Sequence, residues 1–370
     1  MRHLSELNLA DVLPAAAHSL GVESFADRLG LGQCEIVIVC LIDGLGATAI
    51  EQHGDAFPSL DQAAGGSIEA AFPTTTATGL ATLGTGMPPG QHGILGASFY
   101  LPDRDELLSP LHWGSDPHPA AVQPEPTVFE ACSDAGVRCT AVGPAAYAGS
   151  GLSRAVLRGS EYVHAETIGD RVDAVRELAL RVSTNGSREL AYVYWPALDR
   201  AGHEFGPESA QWHAAAADAN ELIGRIRGEL PAGGAVVVTA DHGMVEAGRR
   251  VWVEDEPALC WGVRLLGGEP RMRYLYCEPD ALDGVRDRWG QVLGDRVTIR
   301  TREEAIQDDL FGSVDPALAD RIGDLVVVCE PGTSIASRIA DPRLSALPGQ
   351  HGGRSDDERR VPALILRGGR

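Results

Sequence analysis

Carboxylate and imidazole side chains follow apolar runs at several points of this sequence, and such groups could bind metal ions. In VVVTADHGMV, residues 236–245, a run suited to a buried strand ends directly in Asp241 and His242. Burying a charge and an imidazole there is costly unless a salt-bridge partner or a metal ion compensates them. In open α/β sheets, ligands bind in the crevice outside the carboxyl ends of the strands. The stretch therefore predicts a ligand or metal site whose remaining members lie elsewhere in the chain.

Three further segments supply candidate partners of the same kind. LIDGLG places Asp43 at the end of an apolar run, where the glycines permit a tight turn. YWPALDRAGHEFGP carries Asp199 and His203 four residues apart, and GQHGG places His351 between glycine-rich flanks. Taken singly, each residue is more often a helix cap, a turn former or a hydrogen-bonded packing residue. Their shared position beside separate strand-like runs favours one joint site.

A run of three threonines could supply a nucleophile for that site. AFPTTTATGLATLGTGMPPGQHGILG, residues 71–96, has Pro73 in an extended entry and continues into a predicted short helix. A hydroxyl at a helix start lies beside free backbone N–H groups and the positive end of the helix dipole, which suits phosphate oxygens. From this segment alone, simple capping of the helix explains the threonines better.

The elements that must position these residues have the pattern of an α/β fold. Apolar runs alternate with helical patterns such as RVDAVRELALRV, in which apolar residues recur three and four positions apart. This alternation predicts a doubly wound, mostly parallel sheet with helices on both faces. The runs expected to form its strands are EIVIVCLID, VRCTAVG, LAYVYW, GAVVVTAD, DLVVVCE and VPALIL.

Residues 249–346 differ from the rest of the chain. VWVEDEPALCWGVRLL and RMRYLYCEP have the character of antiparallel strands, and a helical pattern follows at DALDGVRDRWGQVL. We expect a small inserted α+β cap here, on a core formed by residues 1–248 and 347–370. The loop at residues 101–127, rich in Pro, Asp and His, is expected to line a substrate entrance.

Composition narrows the range of partners. Lys and Arg total 31 and Asp and Glu total 52, and the net charge of −21 argues against nucleic-acid or anionic-membrane surfaces, which need clustered positive charge. The seven cysteines show no CxxC spacing, and we interpret them as buried, reduced thiols. No stretch has the character of a signal peptide or membrane span. We expect a cytoplasmic protein with a small-molecule substrate.

Together these segments resemble the alkaline phosphatase superfamily, and within it the nucleotide pyrophosphatase and phosphodiesterase family. The motifs of that family stand here in order as LIDG, PTTT with TGMPPGQHG, DRAGHEFGP, ADHGM and QHGG. The resemblance covers most of residues 35–100, 190–245 and 350–368. Each motif alone is weak, whereas the ordered combination is highly specific.

The resemblance implies a two-metal hydrolase of phosphoric esters, with Thr76 as the nucleophile that becomes a phosphothreonine. Two divalent ions can bind the attacking and leaving oxygens of an in-line displacement at phosphorus. Mixed Asp and His ligands suit zinc, with manganese as the alternative. The ligands implied for one ion are Asp43, Asp241, His242 and the Thr76 oxygen. The ligands implied for the other ion are Asp199, His203 and His351.

Departures from the family pattern leave the substrate open. Ala97 stands where the family has an Asn that helps to hold a phosphate oxygen, so Ser98 or the Ala77 backbone N–H would have to replace it. Ala77 also stands where the family has an aromatic residue after the nucleophile, so no platform for a nucleobase is visible at that position.

Phosphodiesters or pyrophosphates are nevertheless the expected substrates. No Arg or Lys occurs between Ile50 and Arg104, and a dianionic monoester would gain most from an extra cation there. Phosphomonoesters and phosphonates are alternatives within the same superfamily. A metal-binding scaffold without turnover is the alternative from another class.

Overall fold

The apolar runs of the sequence form extended strands in a computed structural model, which describes residues 1–369. Their β-branched side chains favour this conformation because they pack well on a pleated surface. In IVIVCLI, residues 36–42, every side chain is buried, as expected for a strand covered on both faces. The strands of the described chain are β1 (His3–Asn8), β2 (Ile36–Ile42), β3 (Ala64–Glu69), β4 (Phe99–Leu101), β5 (Glu106–Leu108), β6 (Arg138–Gly143), β7 (Glu161–His164), β8 (Glu189–Trp195), β9 (Gly234–Thr239), β10 (Val245–Glu246), β11 (Arg249–Trp252), β12 (Val263–Glu269), β13 (Met272–Cys277), β14 (Val297–Thr301), β15 (Leu325–Cys329), β16 (Thr333–Ala336), β17 (Gly349–Gln350) and β18 (Arg360–Arg367).

Eight strands form the central sheet in the order β1-β3-β18-β9-β2-β8-β6-β7. In its middle, β2 pairs in parallel with β8 and β9, and β6 pairs in parallel with β8 and β7. Among the described strands of this sheet, only β18 runs antiparallel to both of its neighbours, β3 and β9. The sheet is therefore mostly parallel, as predicted, and the carboxyl ends of β2, β8 and β9 adjoin at one edge.

Helices on both faces complete the predicted doubly wound α/β fold. The longer helices carry clear start and stop signals. One begins at a capping box formed by Thr167 and Asp170 and ends at Gly186, which has a φ of +66°. The helices of the described chain are α1 (Val12–Ser19), α2 (Ala47–Gln52), α3 (Thr76–Thr85), α4 (Pro89–His92), α5 (Pro119–Val122), α6 (Val128–Asp134), α7 (Gly151–Val156), α8 (Ile168–Asn185), α9 (Ala197–Phe205), α10 (Ala210–Glu229), α11 (Pro257–Cys260), α12 (Leu282–Leu293), α13 (Arg302–Gln307), α14 (Pro342–Ala346) and α15 (Asp356–Arg359).

The segment 249–346 builds its own sheets beside the central one. Four of its strands pair antiparallel in the order β12-β13-β15-β14. Val285, Trp289 and Leu293 of α12 join a separate cluster of buried apolar side chains with these strands. Just outside the segment, β10 and β17 pair antiparallel, so the chain leaves and rejoins the core at one place.

Parts of the strand prediction were wrong. DLVVVCE forms β15 in the smaller sheet, where it is flanked by β13 and β14 and buried along its whole length. VWVEDEPALCWGVRLL is not one strand, because a 3-10 turn and α11 at Pro257 separate β11 from β12. The prediction also missed β1, β3 and β7, which contain polar or glycine residues rather than continuous apolar runs.

The seven cysteines are all free thiols. Five are buried as predicted, but Cys260 is exposed and Cys277 is half-buried, so the prediction was wrong for these two. Within residues 1–369, no helix combines the length and apolar character needed to cross a membrane.

Candidate active site

The candidate metal ligands meet where the middle strands of the sheet end. Asp43 follows β2 directly, and Asp241 and His242 follow β9 after a single alanine. Asp199 and His203 lie one turn apart on α9, the first helix after β8. Because β2, β8 and β9 are adjacent and parallel, their carboxyl ends bring these side chains to one edge.

His351 reaches the same edge by a different route. It follows β17 directly, and the pairing of β17 with β10 places it beside the continuation of β9. The ring of His351 stacks on that of His242, with centroids 3.8 Å apart and planes inclined by 25°. The structure thus brings together all six Asp and His residues that the sequence singled out.

The first cluster consists of Asp43, Asp241 and His242, all buried. His242 Nε2 lies 3.5 Å from Asp43 Oδ1 and 3.6 Å from Asp241 Oδ2. Its Nδ1 lies 2.9 Å from the Gly243 carbonyl oxygen, which can only accept a hydrogen bond. Nδ1 therefore carries the ring proton in the neutral form, and the lone pair of Nε2 faces the two carboxylates.

The second cluster consists of Asp199, His203 and His351. The two Nε2 atoms of His203 and His351 lie 3.0 Å apart, and Asp199 Oδ1 lies 3.5 Å and 3.9 Å from them. His203 Nδ1 lies 2.9 Å from the Gly349 carbonyl oxygen, and His351 Nδ1 lies 3.0 Å from that of Thr74. Each Nδ1 donates to a backbone carbonyl, so both Nε2 lone pairs face the same point.

Asp199 connects the two clusters. Ligand atoms of Asp43, Asp199 and His242 lie within 4.8 Å of one another, as do those of Asp199, His203 and His351. Gly44 makes this proximity possible, because a Cβ at Gly44 would lie 3.1 Å from both Cα and Cβ of Asp199. Its φ of +75° also falls in the left-handed region that favours glycine. From the sequence, Asp199 was expected to be a ligand of one ion, together with His203 and His351. Its position between the two clusters was not predicted.

Burial and the neighbouring charges shift the pKa values of several groups in the clusters. Burial, reinforced by Asp241 and Asp199, holds the pKa of Asp43 well above its usual range. Burial opposes ionisation of Asp199 as well, but His203 and the other imidazoles lower its pKa overall. Burial, followed by the influence of His203, lowers the pKa of His351 to about 4, so this imidazole is neutral at pH 7.

The donor atoms fit divalent cations. Three buried carboxylate oxygens, Asp43 Oδ1, Asp199 Oδ1 and Asp241 Oδ2, have no hydrogen-bond partner among the described residues. An unpartnered buried carboxylate is costly, and a cation would compensate all three. Oxygen and imidazole nitrogen together form a donor set suited to zinc and, with more oxygen ligands, to manganese.

Thr76 is the threonine of the triplet whose hydroxyl lies against the first cluster. It is the first residue of α3, and its Oγ1 lies 3.2 Å from His242 Nε2. Thr75 occupies the N-cap position but makes no side-chain capping bond, so capping does not explain the triplet. The Thr74 hydroxyl donates to the Gly353 carbonyl at 2.8 Å and accepts from the Gly352 N–H at 3.1 Å. Thr74 therefore fixes the loop of residues 351–355, called the His351 loop, whereas the Thr76 hydroxyl is directed to the candidate site.

A cleft of about 380 Å³ opens from the clusters, bordered by Asp43, Thr76 and His203 at its base. Leu111 and His112 of the 101–127 loop line it, and the role of this loop as a substrate entrance stays a prediction. Its other wall is aromatic. The tyrosines that line it are Tyr147, Tyr162, Tyr192 and Tyr194.

Two residues of the site were missed from the sequence. Tyr194 donates a short hydrogen bond to Asp43 Oδ2. The alternation of tyrosines in YVYW, on one face of a strand that ends at the site, was a usable signal for it. Glu269 is buried and lies 3.2 Å from His351 Nδ1, but no sequence signal connects it with His351.

The structure also alters two sequence arguments about the substrate. Ser98 donates its hydroxyl to the Gly268 carbonyl at 3.1 Å, so that group is already engaged and the expectation of it as a replacement for the family Asn is weakened. Arg200 and Arg343 line the cleft. The cleft therefore contains positive charge, although the sequence around Thr76 has no Arg or Lys.

This fold, with Asp and His clusters at the strand ends, is that of the alkaline phosphatase superfamily, and the protein is a metal-dependent hydrolase of phosphoric esters. Within the superfamily, the chain belongs to the type I phosphodiesterase/nucleotide pyrophosphatase family, whose sequence model matches residues 37–354. No curated protein matches the sequence.

Solved structures show the same fold. Murine ectonucleotide pyrophosphatase/phosphodiesterase 5 is 19% identical with a TM-score of 0.72, over 91% of this chain and 88% of that one. The human protein of the same name is 18% identical with a TM-score of 0.70, over 90% and 87%. Phosphonoacetate hydrolase from Sinorhizobium meliloti 1021, solved with phosphonoformate, is 20% identical with a TM-score of 0.67, over 90% of both chains. At these identities, the likeness concerns the fold.

Proposed function

We propose that the protein hydrolyses phosphodiesters or pyrophosphates through a covalent phosphothreonine on Thr76. The observation that carries this proposal is the place of the Thr76 hydroxyl. It lies 3.2 Å from His242 Nε2, at the start of α3, and at the base of the cleft where the two clusters adjoin. A nucleophile at that place can reach a phosphorus atom held between the clusters.

In this proposal the two clusters hold two divalent ions, for which zinc is the expected metal. Such ions, when bound, supply positive charge to phosphate oxygens and favour loss of a proton from a coordinated alcohol. The ligands of one ion would be Asp43, Asp241, His242 and the Thr76 oxygen. The ligands of the other would be Asp199, His203 and His351.

The chain itself contributes the nucleophile and part of the charge stabilisation. Thr76 Oγ1 attacks phosphorus and forms an ester bond, and the bond to the leaving oxygen breaks with its electron pair on that oxygen. The N–H groups of the first turn of α3 lie beside Thr76 and would stabilise a negatively charged phosphate oxygen. Water then hydrolyses the phosphothreonine, which frees Thr76 for another cycle.

The cleft supports a substrate with an organic substituent on the phosphate. Its tyrosine and leucine walls suit an aryl group or a nucleobase, because aromatic side chains combine a large apolar surface with a polar end. An inactive form of the murine relative was solved in complex with AMP, which agrees with a nucleotide substrate. Phosphonate hydrolysis is the second candidate, since phosphonoacetate hydrolase shares the fold.

The test is a comparison of substrates on one metal-loaded preparation. We expect kcat/KM for an aryl methyl phosphodiester to exceed that for the corresponding aryl phosphate. The ratio of the two kcat/KM values reports how differently the enzyme stabilises the two transition states. Stripping the metal with a chelator should abolish both activities, and added zinc should restore them. Activity that survives complete metal removal would disprove the two-metal proposal, and a clear preference for the monoester would overturn the diester assignment.

A further inference from the structure

Glu269, the last residue of β12, brings a carboxylate from the segment 249–346 into the metal centre. Its side chain is buried, with 1% of the residue exposed, and Oε2 lies 3.2 Å from His351 Nδ1. We propose that Glu269 is a positioning residue that reinforces the His351 tautomer set by the Thr74 carbonyl and strengthens His351 as a metal ligand. This inference rests on the proposed role of His351 as a metal ligand.

The groups beside His351 Nδ1 define the effect. Nδ1 is hydrogen-bonded to the Thr74 carbonyl oxygen at 3.0 Å and has Glu269 Oε2 as an ionic contact at 3.2 Å, and a carbonyl and a carboxylate only accept. The ring proton therefore resides on Nδ1, and the Nε2 lone pair faces His203 and Asp199. A carboxylate at the far side of a ligating imidazole also makes the ligating nitrogen more basic.

Gly352 shows that the His351 loop is shaped around this carboxylate. A Cβ at Gly352 would lie 2.6 Å from Glu269 Cγ and 2.7 Å from its Cδ. The φ of Gly352 is +114°, which side-chain-bearing residues rarely adopt. A residue without a side chain directly after His351 is thus what allows Glu269 to approach.

A buried ion pair holds the turn that carries Glu269 against the same loop. Arg271, two residues further on, binds both carboxylate oxygens of Glu358 at 3.0 Å and 2.8 Å. Glu358 Oε1 in turn accepts from the Gly353 N–H at 2.8 Å. The β12-β13 turn and the His351 loop are therefore fixed relative to one another on both sides of Gly352.

Burial of Glu269 is only partly compensated in the described structure, by nearby His242, the Thr75 hydroxyl, His203 and Arg273. Arg271 is engaged with Glu358, and Glu269 Oε1 lacks a hydrogen-bond partner among the described residues. A carboxylate in this position is costly for folding alone. The remaining compensation would come from a bound cation, through His351, so the segment 249–346 would complete the metal site of the core.

The test uses Glu269→Gln, which keeps the size of the side chain and removes its charge. Glu330→Gln is the matched control, because Glu330 is an exposed glutamate of the same segment. Zinc affinities are measured on metal-stripped protein by competition with a chromophoric chelator, and the Tm of the metal-stripped protein is measured in parallel. The readout is thus independent of turnover.

We expect Glu269→Gln to weaken one of the two zinc-binding steps by about 10- to 100-fold, the range typical of lost partners of metal-ligating histidines. The Tm of the metal-stripped variant should not fall, and Glu330→Gln should match the wild type. Unchanged zinc affinities would overturn the inference, as would loss of both binding steps together with a lower Tm. If the wild type itself binds no zinc, the proposed function fails instead.

Discussion

His203 and His351 face each other with their Nε2 atoms 3.0 Å apart, while both Nδ1 atoms lie against backbone carbonyl oxygens. With a pKa of about 4, set first by burial, His351 is neutral at pH 7. Two opposed nitrogen lone pairs repel one another unless a cation or a shared proton lies between them. Asp199 Oδ1, also without a hydrogen-bond partner among the described residues, is directed to the same place.

This arrangement predicts the effect of His351→Ala. The variant should lose one of two bound metal ions and at least about 100-fold in kcat, since loss of a direct ligand should cost at least as much as loss of its hydrogen-bond partner. Metal analysis and steady-state kinetics measure both effects. His164→Ala is the control, because His164 is exposed at the end of β7 in the same sheet. Two metals per chain and a normal rate in His351→Ala would refute the assignment.

Thr76→Ala should abolish turnover while most of the metal remains bound. The Asp and His side chains of both clusters are intact in this variant, so the metal content should change little. Thr78→Val is the matched control on the same helix, because the buried Thr78 hydroxyl has no hydrogen-bond partner among the described residues. Acid-quenched wild-type enzyme should carry phosphate on Thr76 during turnover, as seen by peptide mass spectrometry. Wild-type activity in Thr76→Ala would exclude Thr76 as the nucleophile.

The central strands were predictable because strands buried on both faces appear in the sequence as continuous apolar runs. β2 is apolar throughout, β9 is apolar up to Thr239, and both are fully buried, the pattern of a parallel sheet covered by helices. The same pattern misplaced β15, since an apolar run does not specify which sheet will bury it. β1 and β7 were missed because each lies at an edge of the sheet and contains only exposed or partly buried residues.

The Asp and His clusters were predictable for a similar reason. Asp43, Asp241 and His242 follow β2 and β9 almost directly, so the strand pattern also locates them. Glu269 follows a strand of another sheet and meets His351 only through the packing of two loops. The place of Asp199 between the clusters depends on distances of a few Å, which spacing along the chain does not determine.

His92 predicts how the stability of the fold responds to acid. It is fully buried, and Nδ1 accepts from the Ile94 N–H at 3.1 Å, so the proton on Nε2 is donated to Thr82 Oγ1 of α3 at 3.0 Å. Burial, and then the nearby Arg321, lowers the pKa of His92 to about 3. In the unfolded chain this imidazole has a pKa of about 6.5. Below pH 6.5 the His92 imidazole therefore binds a proton in the unfolded chain but not in the folded protein.

The free energy of unfolding should consequently fall as the pH drops from 6.5 towards 3, with a contribution from His92 of up to about 1.4 kcal/mol per pH unit. His92→Gln, which can still offer an N–H to Thr82, should lose less stability over that range, even if it is less stable at pH 7. Urea unfolding of metal-stripped protein at several pH values measures the slope and avoids the acid sensitivity of metal binding. The exposed His112, changed to Gln, is the control and should retain the wild-type slope. Parallel pH dependences for His92→Gln and the wild type would show that folding does not change the protonation of His92 over this range. The prediction would then fail.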